Sequence, residues 1–250
     1  MSFLYTSLSS PIHRLDGRTK FLSLLLLFLL ALPFNHPLAL FFLLCFVAGI
    51  AFLSGCFIQI IKFGGLFLLL FLFSVLLWPV FLRTEGWQIS VQYGIAMGLR
   101  LSMMIASGLI FLGTIRIEEF TESLEKLGLP FVMSFALTTA FRLVPTFAST
   151  TSTIVQAQKS RGLDLESGNF LKRLRRHLPL LVPVLLCAVR QTNLLAMALE
   201  AKGFGNKKRV TYFSSKMKSV DYFTLAFLVL LLLFCLFLRL RGYGQILPRI

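Results

Sequence analysis

The stretch FGGLFLLLFLFSVLLWPVFL, Phe63–Leu82, contains no charge and stops at Arg83-Thr84-Glu85-Gly86. A helix advances about 1.5 Å per residue and the hydrocarbon core of a bilayer is about 30 Å thick, so this run is long enough for one crossing. Similar runs lie on both sides. Upstream are Phe21 to about Phe34 and Leu38 to about Leu53, separated by Pro33-Phe34-Asn35-His36-Pro37, a breaker with two prolines around Asn. Ser54 to Lys62 is a weaker break. Downstream are Gln88 to Gly113 and, near the C-terminus, Tyr222 to Leu238. The first two runs are short for a perpendicular span. They recruit flanking residues or form a hairpin lying partly in the interface.

The whole composition agrees. Of 250 residues, 57% are hydrophobic and 27 are Phe, with a mean hydropathy of +0.83. A soluble domain of this size has no use for so much apolar surface, because its outer face meets water. The expected fold is all-α: a polytopic membrane protein with about five spans. Four to seven remain compatible, because Phe131 to Phe147 and Leu178 to Leu199 are also apolar.

The net charge of +15 is unevenly placed. Residues 116–220 hold 16 Lys or Arg against 7 Asp or Glu, whereas the other 145 residues hold 9 and 3. Basic residues collect on the cytoplasmic side of membrane proteins. This places the basic leader and the basic block in the cytoplasm, in agreement with four crossings between them. The chain therefore reads as a cytoplasmic leader (1–20), membrane-spanning helices (21–113), a cytoplasmic or interfacial helical module (114–220), a last spanning helix (221–240) and a tail (241–250). A single last crossing would put Arg239, Arg241 and Arg249 outside, against the charge rule. A further crossing within the module would change that parity.

The module reads as several helices. The first, Ile117 to Lys126, has acids in its first turn, Lys126 in its last, and Gly128 and Pro130 beyond, the order that suits a helix dipole and its stop. Ile117, Phe120, Leu124 and Leu127 share one face at helical spacing. A second helix starts around Pro145 and ends at Gly162. A third starts near Pro179 or Pro183 and ends at Gly203. Their ends match: Ser160-Arg161-Gly162-Leu163 and Ala201-Lys202-Gly203-Phe204. A cation followed by Gly is favoured at any helix C-terminus, and one such end is most often an ordinary cap. Two matching ends in one basic block also suit docking, because a cation on a protruding tip can enter an acidic groove on a partner.

On these residues the chain resembles the transmembrane (T) component of energy-coupling factor transporters, a branch of ABC importers for vitamins and metal ions. That family carries an Ala-Arg-Gly signature at the ends of two cytoplasmic coupling helices. Here the positions are Ser160-Arg161-Gly162 and Ala201-Lys202-Gly203. Ser replaces Ala in the first, and Lys replaces Arg in the second, keeping the charge but losing the planar fork of donors. The leader His13-Arg14-Leu15-Asp16-Gly17-Arg18-Thr19-Lys20 is similar to the family's His-Arg-Leu-Asp-Pro-Arg-Thr-Lys segment, with Gly17 in place of Pro. Leu127 to Pro130 is also similar. The resemblance extends from residue 13 to at least residue 205. It implies a non-catalytic subunit that joins two cytoplasmic ABC ATPases to a small substrate-binding (S) membrane protein. Arg161 and Lys202 would anchor one tip in each ATPase, and the coupling helices would carry ATP-driven motion to the S protein. Substrate identity would reside mainly in that S protein.

Other residues bear on the alternatives. Arg100 lies mid-run, where a cation is costly and seldom faces lipid; it pairs within the bundle or meets a membrane partner. The cluster Lys172, Arg173, Arg175 and Arg176 reads as a membrane-surface anchor on anionic lipid, with ATPase contact as the other option. Lys207, Lys208 and Arg209 could serve either purpose. Nucleic acid is disfavoured, since no aromatic platform accompanies these charges. Cys45, Cys56, Cys187 and Cys235 lie in apolar stretches, and His13, His36 and His177 show no ligand spacing, so no metal or cofactor is expected. No Walker-type phosphate loop and no acid–base constellation is present. A stand-alone secondary transporter or channel is the alternative, disfavoured by the few polar residues in the spans.

Overall fold

The computed structural model describes residues 10–81, 86–163, 170–205 and 217–241; every regular element among them is helical. A 3-10 turn at Pro11–Arg14 leads into α1 (Gly17–Leu30), α2 (Pro37–Ser54), α3 (Phe57–Lys62), α4 (Gly64–Phe81), α5 (Trp87–Thr114), α6 (Ile117–Lys126), α7 (Phe131–Ser160), α8 (Phe170–Ala201) and α9 (Ser219–Leu240). By length and composition, six segments among the described residues are able to cross a membrane: α2, α4, α5, α7, Leu178–Ala201 of α8, and α9. Six lies within the expected range, but the distribution differs from the five-run reading. The run after the leader gives α1, only 14 residues and about 21 Å long, whereas both long helices of the basic block carry a span's worth of apolar residues.

The chain divides into two compact units, residues 2–134 with 215–250, and residues 135–214. In the first, α5 is central and packs on α1, α2 and α4, while α1 also lies against α6 and α9. The α4–α5 contact is close because Gly94 and Gly98 share one face of α5. A Cβ on Gly94 would lie 3.2 Å from the Ser74 carbonyl oxygen, and one on Gly98 would lie 2.7 Å from the Phe71 ring. Small residues four apart let backbones approach in lipid, where packing rather than water exclusion drives association. The Ser74 hydroxyl donates to the Gly94 carbonyl at 3.1 Å, and the Trp78 and Tyr93 rings meet edge-on nearby.

Helix α6 has the expected polarity and ends at Gly128, with φ +113. Of the four residues expected to share a face, Phe120 packs on the Phe21 and Phe111 rings and Leu124 is half-buried, but the ends of that face are open and small polar residues are buried beside it. Thr121 and Ser123 are buried, whereas Ile117 and Leu127 are exposed. The reason is the approach of α1. A Cβ on Gly17 would lie 2.7 Å from the Glu119 carbonyl oxygen and would collide with the Ser123 hydroxyl, so only small residues fit this contact.

In the second unit α7 and α8 run for about 45 Å and 48 Å. Both begin before the prolines expected to start them: Pro145 is inside α7, and Pro179 and Pro183 are inside α8. Proline removes one backbone hydrogen bond. Each proline gives up one bond, whereas unwinding the apolar segment around it would free several backbone groups among side chains that offer no partner, so continuing the helix costs less.

Candidate functional site

The two cation–Gly ends adopt the same local structure. After α7, Gly162 has φ +90, the Leu163 N–H donates to the Gln158 carbonyl at 3.0 Å, and the Gly162 N–H donates to the Lys159 carbonyl at 3.0 Å. After α8, Gly203 has φ +72, the Phe204 N–H donates to the Leu199 carbonyl at 2.9 Å, and the Gly203 N–H donates to the Glu200 carbonyl at 2.9 Å. Both are Schellman caps, in which glycine takes the left-handed position that a Cβ disfavours. The end of α6 has the same cap: Leu129 donates to Leu124 and Gly128 to Glu125. There, Leu127 occupies the position that Arg161 and Lys202 hold in the other two. The fold is thus common to three ends, and the cation is what distinguishes two of them.

Arg161 and Lys202 are exposed and have no ion pair among the described residues. Ser160 is also exposed, and its hydroxyl donates back to the Gln156 carbonyl at 3.1 Å. Ala201 is exposed beside Lys202. The tips are not brought together. The Phe204 ring packs on Phe135 near the start of α7, with centroids 4.5 Å apart, so the end of α8 lies by the beginning of α7. Arg161 lies at the far end of α7, about 39 Å of helix away.

Arg100 and the Pro33–Pro37 break, noted separately in the sequence, meet in the structure. The Arg100 Nε donates to the Ala31 carbonyl at 3.0 Å, and Nη2 donates to the Phe34 carbonyl at 2.6 Å and to Asn35 Oδ1 at 2.8 Å. Irregular backbone at membrane depth must be satisfied within the protein, and a cation also suits the C-terminus of α1.

Lys20 makes the reciprocal contact at the other end of the α1–α5 pair. Its ammonium donates to the carbonyl of Thr114, the last residue of α5, at 3.0 Å. It also donates to the His13 carbonyl at 3.0 Å and to Glu119 Oε2 at 2.8 Å. Its three donors are thereby used, and only 3% of its side chain is exposed. Each helix thus carries a cation that caps the end of the other. The leader is held further by buried Asp221, which accepts from the Asp16 N–H at 3.0 Å and from the Lys218 N–H at 2.7 Å. The sequence places Lys20 at the end of the family-like leader and Glu119 in the first turn of a helix, but no local rule pairs them or singles out Asp221. The available signal was a Lys immediately before an apolar run.

The backbone of Lys172, Arg173, Arg175 and Arg176 belongs to the first turns of α8, but their side chains lie outside the described residues, as do Lys207, Lys208 and Arg209.

These features define a class: a multi-pass membrane protein whose helical bundle is tied by reciprocal Arg100 and Lys20 caps, with two exposed cationic helix ends. Residues 8–212 match the family model CbiQ, described as "Cobalt transport protein". The chain is 35% identical to an energy-coupling factor transporter transmembrane protein, EcfT, of Heliobacterium modesticaldum, the match covering 93% of this chain and 95% of the relative. It is 31% identical to the EcfT of Acidaminococcus fermentans, covering 93% of both chains. It is 27% identical to that of Staphylococcus aureus, covering 95% and 96%. The chain belongs to the CbiQ family and, within it, to the transmembrane components of energy-coupling factor transporters, which are non-catalytic transporter subunits.

Proposed function

We propose that this chain is the coupling subunit of an ATP-driven vitamin or metal-ion importer, working with two cytoplasmic ABC ATPases and a substrate-binding membrane protein. The leader and both cationic tips face the cytoplasm of the cell membrane, as the excess of Lys and Arg in residues 116–220 favours, and α7 and α8, although long and apolar enough to cross, then run along the cytoplasmic surface with their apolar faces toward it. Ser160-Arg161-Gly162 and Ala201-Lys202-Gly203 dock in the ATPases, one tip per subunit. The carrying observation is the pair of exposed cations without ion pairs among the described residues, on identically capped ends at opposite ends of α7. A charge held on a rigid cap transmits force with little loss to side-chain rearrangement, and the separation suits two binding grooves better than one. Lys172, Arg173, Arg175 and Arg176 hold the start of α8 at the anionic membrane surface. Arg100 positions α1 and takes no part in transport chemistry.

Co-expression with the ATPase pair and S protein of the same genome tests this. Wild type should co-purify with both ATPases, Arg161→Glu and Lys202→Glu should each weaken capture, and the double substitution should abolish it. Equal capture by the double variant would reduce the tips to ordinary helix caps.

A further inference from the structure

The first unit contains a cavity of about 230 Å³ between α1, α2, α5 and α9. Its walls are almost wholly apolar and include Leu24, Leu27, Ile50, Ile110, Phe227 and Leu228. A water molecule needs only about 10–15 Å³ of such space, but it also needs two to four polar partners. The polar groups that border the cavity are nearly all engaged. The hydroxyls of Ser23, Ser107, Thr114 and Thr224 each donate to a backbone carbonyl, and Lys20 has used its three donors.

Thr19 is the exception. It lines the cavity, is 1% exposed, and its Oγ1 has no hydrogen-bond partner among the described residues. The position explains this. Thr19 is the third residue of α1: Leu15, four residues before it, lies outside the helix, and the Asp16 carbonyl, three before it, accepts from the Lys20 N–H, so the back-bond that Thr114 and Thr121 make is not formed. The Nε of the preceding Arg18 is also buried without a partner among the described residues. An unpaired buried hydroxyl costs free energy, and its natural complement is an acceptor on a bound molecule. The cavity reaches the bundle surface along α9, where its lining residues Phe223 and Phe227 are exposed. Helix α9 is long and apolar enough to cross a membrane, and in a multi-pass membrane protein such an exposed apolar surface faces acyl chains.

We propose that this cavity holds one acyl chain of an anionic glycerophospholipid. An ester carbonyl of the lipid accepts from the Thr19 hydroxyl, and its phosphate lies beside Arg18. The bound lipid fills the gap between α1 and α9, next to the Lys20 and Asp221 contacts that hold the leader.

The full-length chain, extracted in mild detergent and delipidated, is incubated with phosphatidylglycerol and analysed by native mass spectrometry. In parallel, it is photolabelled in vesicles containing phosphatidylglycerol with a diazirine a few carbons from the ester of one acyl chain. One lipid should be retained per chain, and label should concentrate on residues 19–27 and 223–228. Thr19→Val should reduce retention about fivefold, the worth of one hydrogen bond. Leu24→Trp should fill the cavity and abolish both retention and local label, while exposed Leu68 and Leu72 label as before. Ile50→Phe, from another wall, serves the same purpose if Leu24→Trp does not fold. Retention unchanged in a folded cavity-filling variant, or no retained lipid in wild type, would overturn the site. Equal retention of phosphatidylcholine would remove the role of Arg18, and equal retention of oleic acid would overturn the phospholipid as occupant.

Discussion

Replacing Lys20 by Met tests how the bundle is fastened. Met keeps much of the side-chain volume and removes only the ammonium. Three acceptors then lose their donor: the carbonyls of His13 and Thr114, and the carboxylate of Glu119. Removing one partner of a buried ion pair costs about 3–5 kcal/mol. Glu119 is 34% exposed and can recover some hydration, which argues for the lower end, about 3 kcal/mol. For a chain of this size that corresponds to a fall in melting temperature of roughly 6–12 °C. The assay is thermal unfolding in detergent, followed by intrinsic fluorescence and helical circular dichroism. Glu119→Gln leaves a neutral acceptor and should cost about 1 kcal/mol. The double variant should cost less than the sum of the two singles, because the second change acts on a bond already lost. If Lys20→Met melted within 2 °C of wild type by this measure of about 2–4 °C per kcal/mol, the reciprocal capping of α1 and α5 would carry no weight.

Other substitutions probe the remaining contacts. Gly17→Ala should destabilise, although alanine is ordinarily the better helix former by about 1 kcal/mol, because its Cβ would meet the Glu119 carbonyl at 2.7 Å; a higher melting temperature would refute that contact. Gly98→Val should push α4 from α5 and lower the melting temperature by several degrees, since the Phe71 ring occupies the space; it is measured by the same unfolding assay. Arg100→Met should strand the carbonyls of Ala31 and Phe34 at about 1–3 kcal/mol each, with Arg100→Lys recovering part of the loss. Gly162→Ala and Gly203→Ala meet no neighbouring atom, so each should cost about 1–2 kcal/mol from the left-handed backbone alone, appearing as weaker ATPase capture more than as lost stability.

Much of this architecture can be read from apolar runs and breakers. The run at Phe63–Leu82 is α4 almost residue for residue, and the runs at Leu38, Gln88 and Tyr222 are α2, α5 and α9. Helix ends at Gly128, Gly162 and Gly203 follow from glycine at the left-handed position. The helix starts in the basic block do not follow from local rules. Pro145, Pro179 and Pro183 are breakers in water, but in an apolar helix the lost hydrogen bond costs less than an unwound segment. On α6, periodicity finds Phe120, which packs on Phe21 and Phe111, but not the buried Thr121 and Ser123, because the approach of Gly17 selects small residues and periodicity counts apolar ones. The partners of Arg100 lie more than 60 residues away in sequence, and no spacing rule connects them. The Gly94–Gly98 pair has a sequence signal, two small residues four apart, but which helix it receives is set by the fold.

The central claim is that α7 and α8 each deliver a cation to an ATPase, and cross-linking tests it most directly. In a chain whose native cysteines are replaced, Arg161→Cys and Lys202→Cys are labelled with a photoreactive maleimide in the presence of the ATPase pair and S protein. Each tip should cross-link to an ATPase, and the doubly labelled chain should capture two ATPase subunits at once. Cross-links from both tips to lipid or to the S protein alone would contradict the account.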